Sequence, residues 1–342
     1  DGALFKTLPW QHLGPTNISG RSTDIALTEP RGETYTTYVA GASGGVWKTE
    51  NEGVTWTSLF DDELTTSIGD LAISPSNPEI VWVGTGEANI FRSSHAGAGI
   101  YKTSDGGQSW NLVLYIDDRT GAIDLALDPG DANTLFAAMY QRQRTGWGFN
   151  GGGPGSGLYR TVDGGESWTE LTDGLPEGDK GRIGIDVFRQ NGSVVYALVE
   201  ADARRPGRGG GGGRDGGGES RGGIFRSVDR GTSWEKMSDT NPRPMYYSQV
   251  RIDPSNADRI YVLGGSLMIS DDGGRTFRSD GAEQIHVDHH ALWIDPNDPD
   301  HLIIGSDGGV SASWDGAAYW RMFDNIALGQ FYTVSFDMRD PY

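Results

Sequence analysis

Thr103-Ser104-Asp105-Gly106-Gly107-Gln108-Ser109-Trp110 decides the fold, because it recurs. It returns as Thr161-Val162-Asp163-Gly164-Gly165-Glu166-Ser167-Trp168, as Ser227-Val228-Asp229-Arg230-Gly231-Thr232-Ser233-Trp234 and as Ser270-Asp271-Asp272-Gly273-Gly274-Arg275-Thr276-Phe277. Two looser copies flank these. Thr49 to Trp56 has Asn51 for the aspartate; Ser313 to Trp320 keeps Asp315 but has Ala317 for a glycine. Each copy follows a short apolar strand such as Gly157-Leu158-Tyr159-Arg160 and runs into another such as Ser167-Trp168-Thr169-Glu170-Leu171. The motif is therefore a hairpin turn. Its carboxylate can accept N–H groups of its own turn, and the first Ser or Thr can add a hydroxyl bond. Glycine supplies the positive φ. The indole opens the returning strand and offers a face to the neighbouring repeat. A self-closed turn explains Asn51, Asp105, Asp163, Asp229, Asp272 and Asp315 as structural residues; calcium binding or catalysis at these carboxylates is the competing reading.

A second repeat precedes each turn. Ala126-Leu127-Asp128-Pro129-Gly130, Arg251-Ile252-Asp253-Pro254-Ser255 and Trp293-Ile294-Asp295-Pro296-Asn297 each end one strand in a Pro/Asn-type turn. An apolar strand follows, as in Ile80-Val81-Trp82-Val83 or Arg259-Ile260-Tyr261-Val262. Each unit thus reads as four antiparallel strands, one blade of an all-β propeller. The motif aromatics at 56, 110, 168, 234, 277 and 320 are 54, 58, 66, 43 and 43 residues apart. A bare blade needs about 40–45 residues, so the first three intervals carry insertions. Six blades are visible. Gln330 to Asp337 reads as the first strand of a partial seventh, and Leu8 to Leu13 as an outer strand able to close a ring. Residues 1–342 are expected to form one propeller that belongs to a longer chain.

The formal charge is -19, with 53 glycines, 11 tryptophans and no cysteine in 342 residues. Acidity argues against a nucleic-acid partner. No apolar run approaches the ~20 residues that span a bilayer. Without cysteine there are no disulfides or thiolate metal sites. The chain opens at Asp1 rather than Met, as one with its signal peptide removed would. An extracellular or periplasmic, bacterial location is expected. Residues 201–223 form a Gly/Arg-rich insertion with Arg204, Arg205, Arg208, Arg214 and Arg221, read as a flexible loop without a core.

With strands A to D counted outward, the Asp turns (C–D) and the Asp-Pro turns (A–B) fall on one face. The B–C loops and D–A connections fall on the other, and the long insertions are all B–C loops. Binding residues favour such loops. The candidates there are Arg92 and His95 in the first, and Arg142, Arg144, Trp147 and Phe149 in the second. The aromatics either stack on a ligand or fold back over their glycine-rich loop; the two readings are balanced. The D–A connections add Arg182, Arg243, Tyr246 and Tyr247. His286, Asp288 and His290 alternate, so in a strand they would share one side and could hold a divalent metal. A hydrogen-bonded polar cluster is the competing reading. No other cofactor is expected. Glu87 and Asp288 are the carboxylates to test first for catalysis.

The turns, with Gly44-Gly45-Val46-Trp47-Lys48-Thr49 and Gly84-Thr85-Gly86-Glu87-Ala88-Asn89, resemble the bacterial neuraminidase (BNR, Asp-box) repeat proteins, and within them the bacterial relatives of the sortilin luminal propeller. That resemblance spans nearly the whole chain. It implies a propeller that binds peptides or proteins. Sialidases and xyloglucanases share the turn. Sialidases use an arginine cluster, for which Arg21, Arg92 and Arg182 are available beside Tyr246, but their Arg-Ile-Pro segment is missing. Xyloglucanases set two aspartates across a cleft between two propellers. The expectation is a secreted, non-catalytic binding or scaffold propeller for a peptide, protein or glycan, with a glycoside hydrolase as the alternative. Further blades beyond Tyr342 are the other expected partners.

Overall fold

A computed structural model describes residues 21–28, 35–89, 95–201 and 220–324. The expected strands at 8–13 and 330–337, Arg92, and four of the insertion arginines lie outside these residues. Regular structure among the described residues is all β, and no helix is long and apolar enough to cross a membrane. The chain divides into two compact units, Asp1–Leu125 with Met139–Asn150, and Ala126–Ala138 with Gly151–Tyr342.

The first unit holds two four-stranded blades. Blade 1 is β1 (Ser22–Leu27), β2 (Thr37–Gly41), β3 (Gly45–Thr49) and β4 (Thr57–Ser58); blade 2 is β5 (Ile68–Ile73), β6 (Val81–Thr85), β7 (Ile100–Thr103) and β8 (Asn111–Leu114). Each is ordered as in sequence and antiparallel. Blade 3 contributes to both units: β9 (Thr120–Asp128), the long β10 (Asp131–Thr145), its hairpin partner β11 (Gly148–Gly151), β12 (Gly157–Thr161) and β13 (Thr169–Leu171). The second unit adds blade 4, β14 (Ile183–Val187), β15 (Val195–Val199), β16 (Gly223–Ser227) and β17 (Glu235–Ser238). Blade 5 has β18 (Gln249–Asp253), β19 (Asn256–Leu263) and β20 (Met268–Ser270), its fourth position reduced to one bridge, Ile269 to Arg278. Blade 6 is β21 (His289–Asp295), β22 (Asp298–Ser306), β23 (Gly309–Ser313) and β24 (Arg321–Met322). The described residues thus form six blades of a β-propeller.

Every Asp turn closes on itself. In the fourth, Ser227 Oγ donates to Asp229 Oδ1 at 2.7 Å, and Oδ1 also accepts the Ser233 N–H at 2.9 Å. Oδ2 takes the Ser233 hydroxyl at 2.6 Å, and the Gly231 N–H donates to Ser227 Oγ at 2.8 Å. The same bonds recur around Asp105, Asp163 and Asp272. These acceptor roles, led by the hydroxyl at the seventh position, hold each of the four carboxyls down at about 2. Asp315 is lowered too, chiefly by the Tyr319 N–H. The Asp-Pro turns form as read: Asp128, Asp253 and Asp295 each accept the N–H two residues on at 2.8, 2.8 and 2.9 Å.

The aromatics reach the preceding blade. Trp110 Nε1 donates to the Leu59 carbonyl at 2.8 Å, and its ring meets Phe60 edge-on at 5.2 Å. Trp320 Nε1 donates to the Gly281 carbonyl at 2.6 Å; at Trp234 the backbone N–H bonds the Asp173 carbonyl at 3.0 Å, while the indole N–H bonds the Gly231 carbonyl inside its own turn at 3.0 Å. Gly174 is obligatory there: it has φ +81, and a Cβ would lie 1.9 Å from the Trp234 carbonyl. A second clasp was not anticipated from sequence. The inner-strand carboxylates of Asp24, Asp70 and Asp186 each accept an N–H from the next inner strand, those of Leu71, Leu125 and Ile252, at 3.1, 2.6 and 2.7 Å.

Candidate functional site

The long insertions fall in the B–C loops of blades 2, 3 and 4, as read, while those of blades 1, 5 and 6 are short. In the first unit, β6 leads into the loop of Gly86, Glu87 and Ala88. Glu87 is buried, and one guanidinium engages both its oxygens: Arg21 Nε donates to Oε1 at 3.1 Å and Nη2 to Oε2 at 2.8 Å. This is the bidentate pairing that carboxylates favour. Arg142 is buried too, and its Nη1 donates to the Glu87 carbonyl at 2.8 Å and to the Asn89 carbonyl. Arg142 is therefore not a surface clamp for an anion; it pins the loop from inside. Burial lowers its pKa, yet an arginine stays charged at neutral pH.

The hairpin β10–β11 carries the opposite arrangement. Its turn is closed by Thr145 Oγ1 donating to the Gly148 carbonyl at 3.1 Å. Trp147, between two glycines at the tip, is 95% exposed, so it does not fold back over its loop. Phe149 is partly covered by the Arg144 guanidinium, 5.7 Å from its ring centre. Arg144, Trp147 and Phe149 thus form one projecting aromatic and cationic edge. His95 is also exposed, and its carbonyl accepts the Ser67 hydroxyl at 3.3 Å.

In the second unit the D–A connections converge. Arg182 is buried and donates Nη1 to the Tyr246 carbonyl at 2.6 Å, while its own N–H donates to Glu200 Oε2 at 3.0 Å. Like Arg142, it supports a loop rather than facing a ligand. Tyr246 and Tyr247 meet edge-to-face at 5.0 Å, and His290 lies 5.5 and 5.2 Å from them. The Arg243 guanidinium sits 4.3 Å over the Tyr246 ring. The Tyr247 hydroxyl donates to Asp288 Oδ1; burial first, and this carboxylate second, push the phenol pKa up. His290 Nε2 is 3.3 Å from Asp307 Oδ1. Burial pulls both His289 and His290 down, so both rings are neutral at pH 7.

The alternation expected of His286, Asp288 and His290 does not form. Strand β21 begins only at His289, Asp288 has φ 66, and His286 Nδ1 lies 2.8 Å from the carbonyl of Val287. Among the described residues no group of three or more His, Cys, Asp or Glu side chains could hold a metal. Nor do His286, Asp288 and His290 bond one another: Asp288 accepts the Tyr247 hydroxyl and His290 lies against Asp307. Asp307 and Glu200 were missed in the sequence. The available signal was the tight turn Ser306-Asp307-Gly308-Gly309, which returns a carboxylate beside the inner strand.

No family model matches the chain. Over 289 residues it is 26% identical to a xyloglucanase of a Paenibacillus species, covering 82% of this chain and 24% of that protein. The chain therefore spans about a quarter of that curated relative's length. An ancestral GH74 enzyme superposes with a TM-score of 0.66 at 17% identity, over 92% of this chain and 40% of that one. YCF48 bound to D1 peptide gives 0.53 at 15% identity, over 89% and 81%. The extracellular domain of a one-component system from B. thetaiotaomicron gives 0.55 at 14%, over 89% and 34%. These likenesses establish the propeller. They join an enzyme, a peptide-bound protein and an extracellular domain, so the shared fold selects no activity.

Proposed function

We propose that this Asp-box propeller is a secreted, non-catalytic binding module of the sortilin-like kind, and that it grips a glycan chain with the β10–β11 hairpin. The observation that carries the reading is Trp147, 95% exposed at the tip of an ordered hairpin. A flat indole between glycines leaves both ring faces open to stack on a pyranose. Arg144, beside Phe149, adds donors for hydroxyl or carboxylate groups. The inward use of Arg142 and Arg182 leaves the hairpin as the outward-facing feature of the second insertion. The acidic, cysteine-free composition and the likeness to an extracellular domain support a secreted location. Affinity electrophoresis against soluble polysaccharides, xyloglucan included, tests this. Trp147→Ala should abolish retardation without changing the melting temperature, and retardation kept by that variant refutes the assignment.

The similarity to a xyloglucanase favours one second reading, glycoside hydrolysis. That chemistry needs two carboxyls about 5–10 Å apart, one able to give a proton. Glu87 has both oxygens engaged by Arg21, and Asp288 holds the Tyr247 hydroxyl. Neither is disposed as an acid. Release of reducing sugar that disappears in Glu87→Gln or Asp288→Asn would displace the binding-only reading.

A further inference from the structure

Six non-glycine residues among those described have left-handed φ: Glu52, Arg230, Ala317, Arg243, Ser248 and Asp288. The first three stand in Asp turns where other copies have glycine, so the turn accounts for them. The other three belong to no such turn. They fall in the connections before β18 and before β21, and all border the Tyr246–Tyr247–His290 cluster. Backbone strain held by surrounding structure gathers at ligand sites.

The chemistry there is that of a guanidinium receptor. Tyr246 offers a ring face, and Arg243 lies over it at 4.3 Å. The Tyr247 hydroxyl donates to Asp288, and the positive charge of Arg243 lies near enough to the phenol to favour its ionised form. Asp307, half exposed, adds a carboxylate steadied by His290 at 3.3 Å. An aromatic face, a phenol oxygen and carboxylates are what a planar, weakly hydrated cation selects. The cation in place is the chain's own, on an exposed side chain whose backbone is strained to put it there. We propose that this is a self-occupied site for the arginine side chain of a cationic peptide or protein segment, and that Arg243 is the internal competitor which the ligand displaces. The formal charge of -19 draws such partners in and raises their encounter rate. The site shares no residue with the Trp147 hairpin and does not depend on glycan binding.

The test uses the whole chain and fluorescent tetra-arginine, tetra-lysine and tetra-glutamate peptides, read by anisotropy near physiological ionic strength. Arg243→Gly removes the competitor and suits the left-handed backbone. It should tighten tetra-arginine binding about tenfold, as expected when a closed state no longer competes, without lowering the melting temperature. In that background Tyr246→Leu and Asp307→Asn should each return the affinity toward wild type. If Tyr246→Leu fails to fold, Asp307→Asn decides alone. Unchanged or weaker binding in Arg243→Gly overturns the proposal. So does equal binding of tetra-lysine, which would mean attraction by net charge only.

Discussion

Replacing Trp320 by alanine should cost several times more than replacing Trp56, although both open a returning strand after the same turn. Trp320 is 3% exposed and Trp56 43%. Trp320 packs among Tyr261, Leu263, Leu302 and Ile304, and its indole N–H bonds the Gly281 carbonyl of the preceding blade's connection. The Trp56 indole bonds only Gly53, inside its own turn, at 3.1 Å. Truncating a buried aromatic costs about 3–5 kcal/mol, and an orphaned carbonyl adds about 1 kcal/mol. Trp320→Ala should therefore lose about 4–6 kcal/mol. For Trp56 the half-covered face gives only about 1–2 kcal/mol. Urea unfolding followed by far-ultraviolet circular dichroism reads both without relying on indole fluorescence. With a slope of roughly 3 kcal/mol per molar urea, the midpoint should fall by more than about 1 M for Trp320→Ala and by about 0.5 M for Trp56→Ala. Equal shifts, or a larger one for Trp56, would refute the view that these aromatics stabilise by docking on the preceding blade.

Three further outcomes follow from the same geometry. Asp105, Asp163, Asp229 and Asp272 sit at about 2 when folded against about 3.9 unfolded. Their contribution is thus complete above the unfolded value and is lost as pH falls from about 4 toward 2. The urea midpoint should drop over that window, and less so with each Asp→Asn change. The first turn shows why asparagine is tolerated: Asn51 Oδ1 takes the Thr55 N–H at 2.9 Å, and its amide donates to the Thr55 hydroxyl at 2.8 Å, with no proton to gain. Gly174→Ala, with its Cβ 1.9 Å from the Trp234 carbonyl, should cost at least about 2 kcal/mol by differential scanning calorimetry. Arg142→Ala removes a buried charged donor from two carbonyls and should cost about 3 kcal/mol. It should also speed amide exchange at Glu87 and Asn89, and unchanged exchange there would contradict its role as a pin.

The fold was legible because the deciding bonds are local. Thr103, Asp105, Gly107 and Ser109 satisfy one another within seven residues, so the pattern and its meaning occupy one stretch of chain. The Asp-Pro turns are local in the same way. The clasp through Asp24, Asp70 and Asp186 escaped notice because its partners, Leu71, Leu125 and Ile252, are 47, 55 and 66 residues away. A lone aspartate in an apolar strand looks like a break in alternation until the next inner strand is laid beside it. Blade 5 has Gln249 five residues before its turn proline, where blade 2 has Asp70, so the clasp is not a fixed property of the repeat.

The candidate site divides on the same principle, and arginine shows it best. Arg142 and Arg144 are two apart on β10 and so leave the strand on the same side, yet one is buried against carbonyls and the other lies along Phe149. What separates them is the depth at which the Glu87 loop comes back, which no property of the residues around 142 encodes. Arg182 and Arg243 repeat the contrast around a single tyrosine: Arg182 holds the Tyr246 carbonyl and Arg243 covers its ring. A guanidinium on a loop-rich face thus carries little information by itself. Backbone conformation adds what composition lacks. A strained, solvent-facing arginine such as Arg243 is costly to keep where glycine would serve, and that cost separates it from the buried pair. Arg243→Gly is therefore the substitution that best divides a loop shaped by folding from a loop shaped for a ligand.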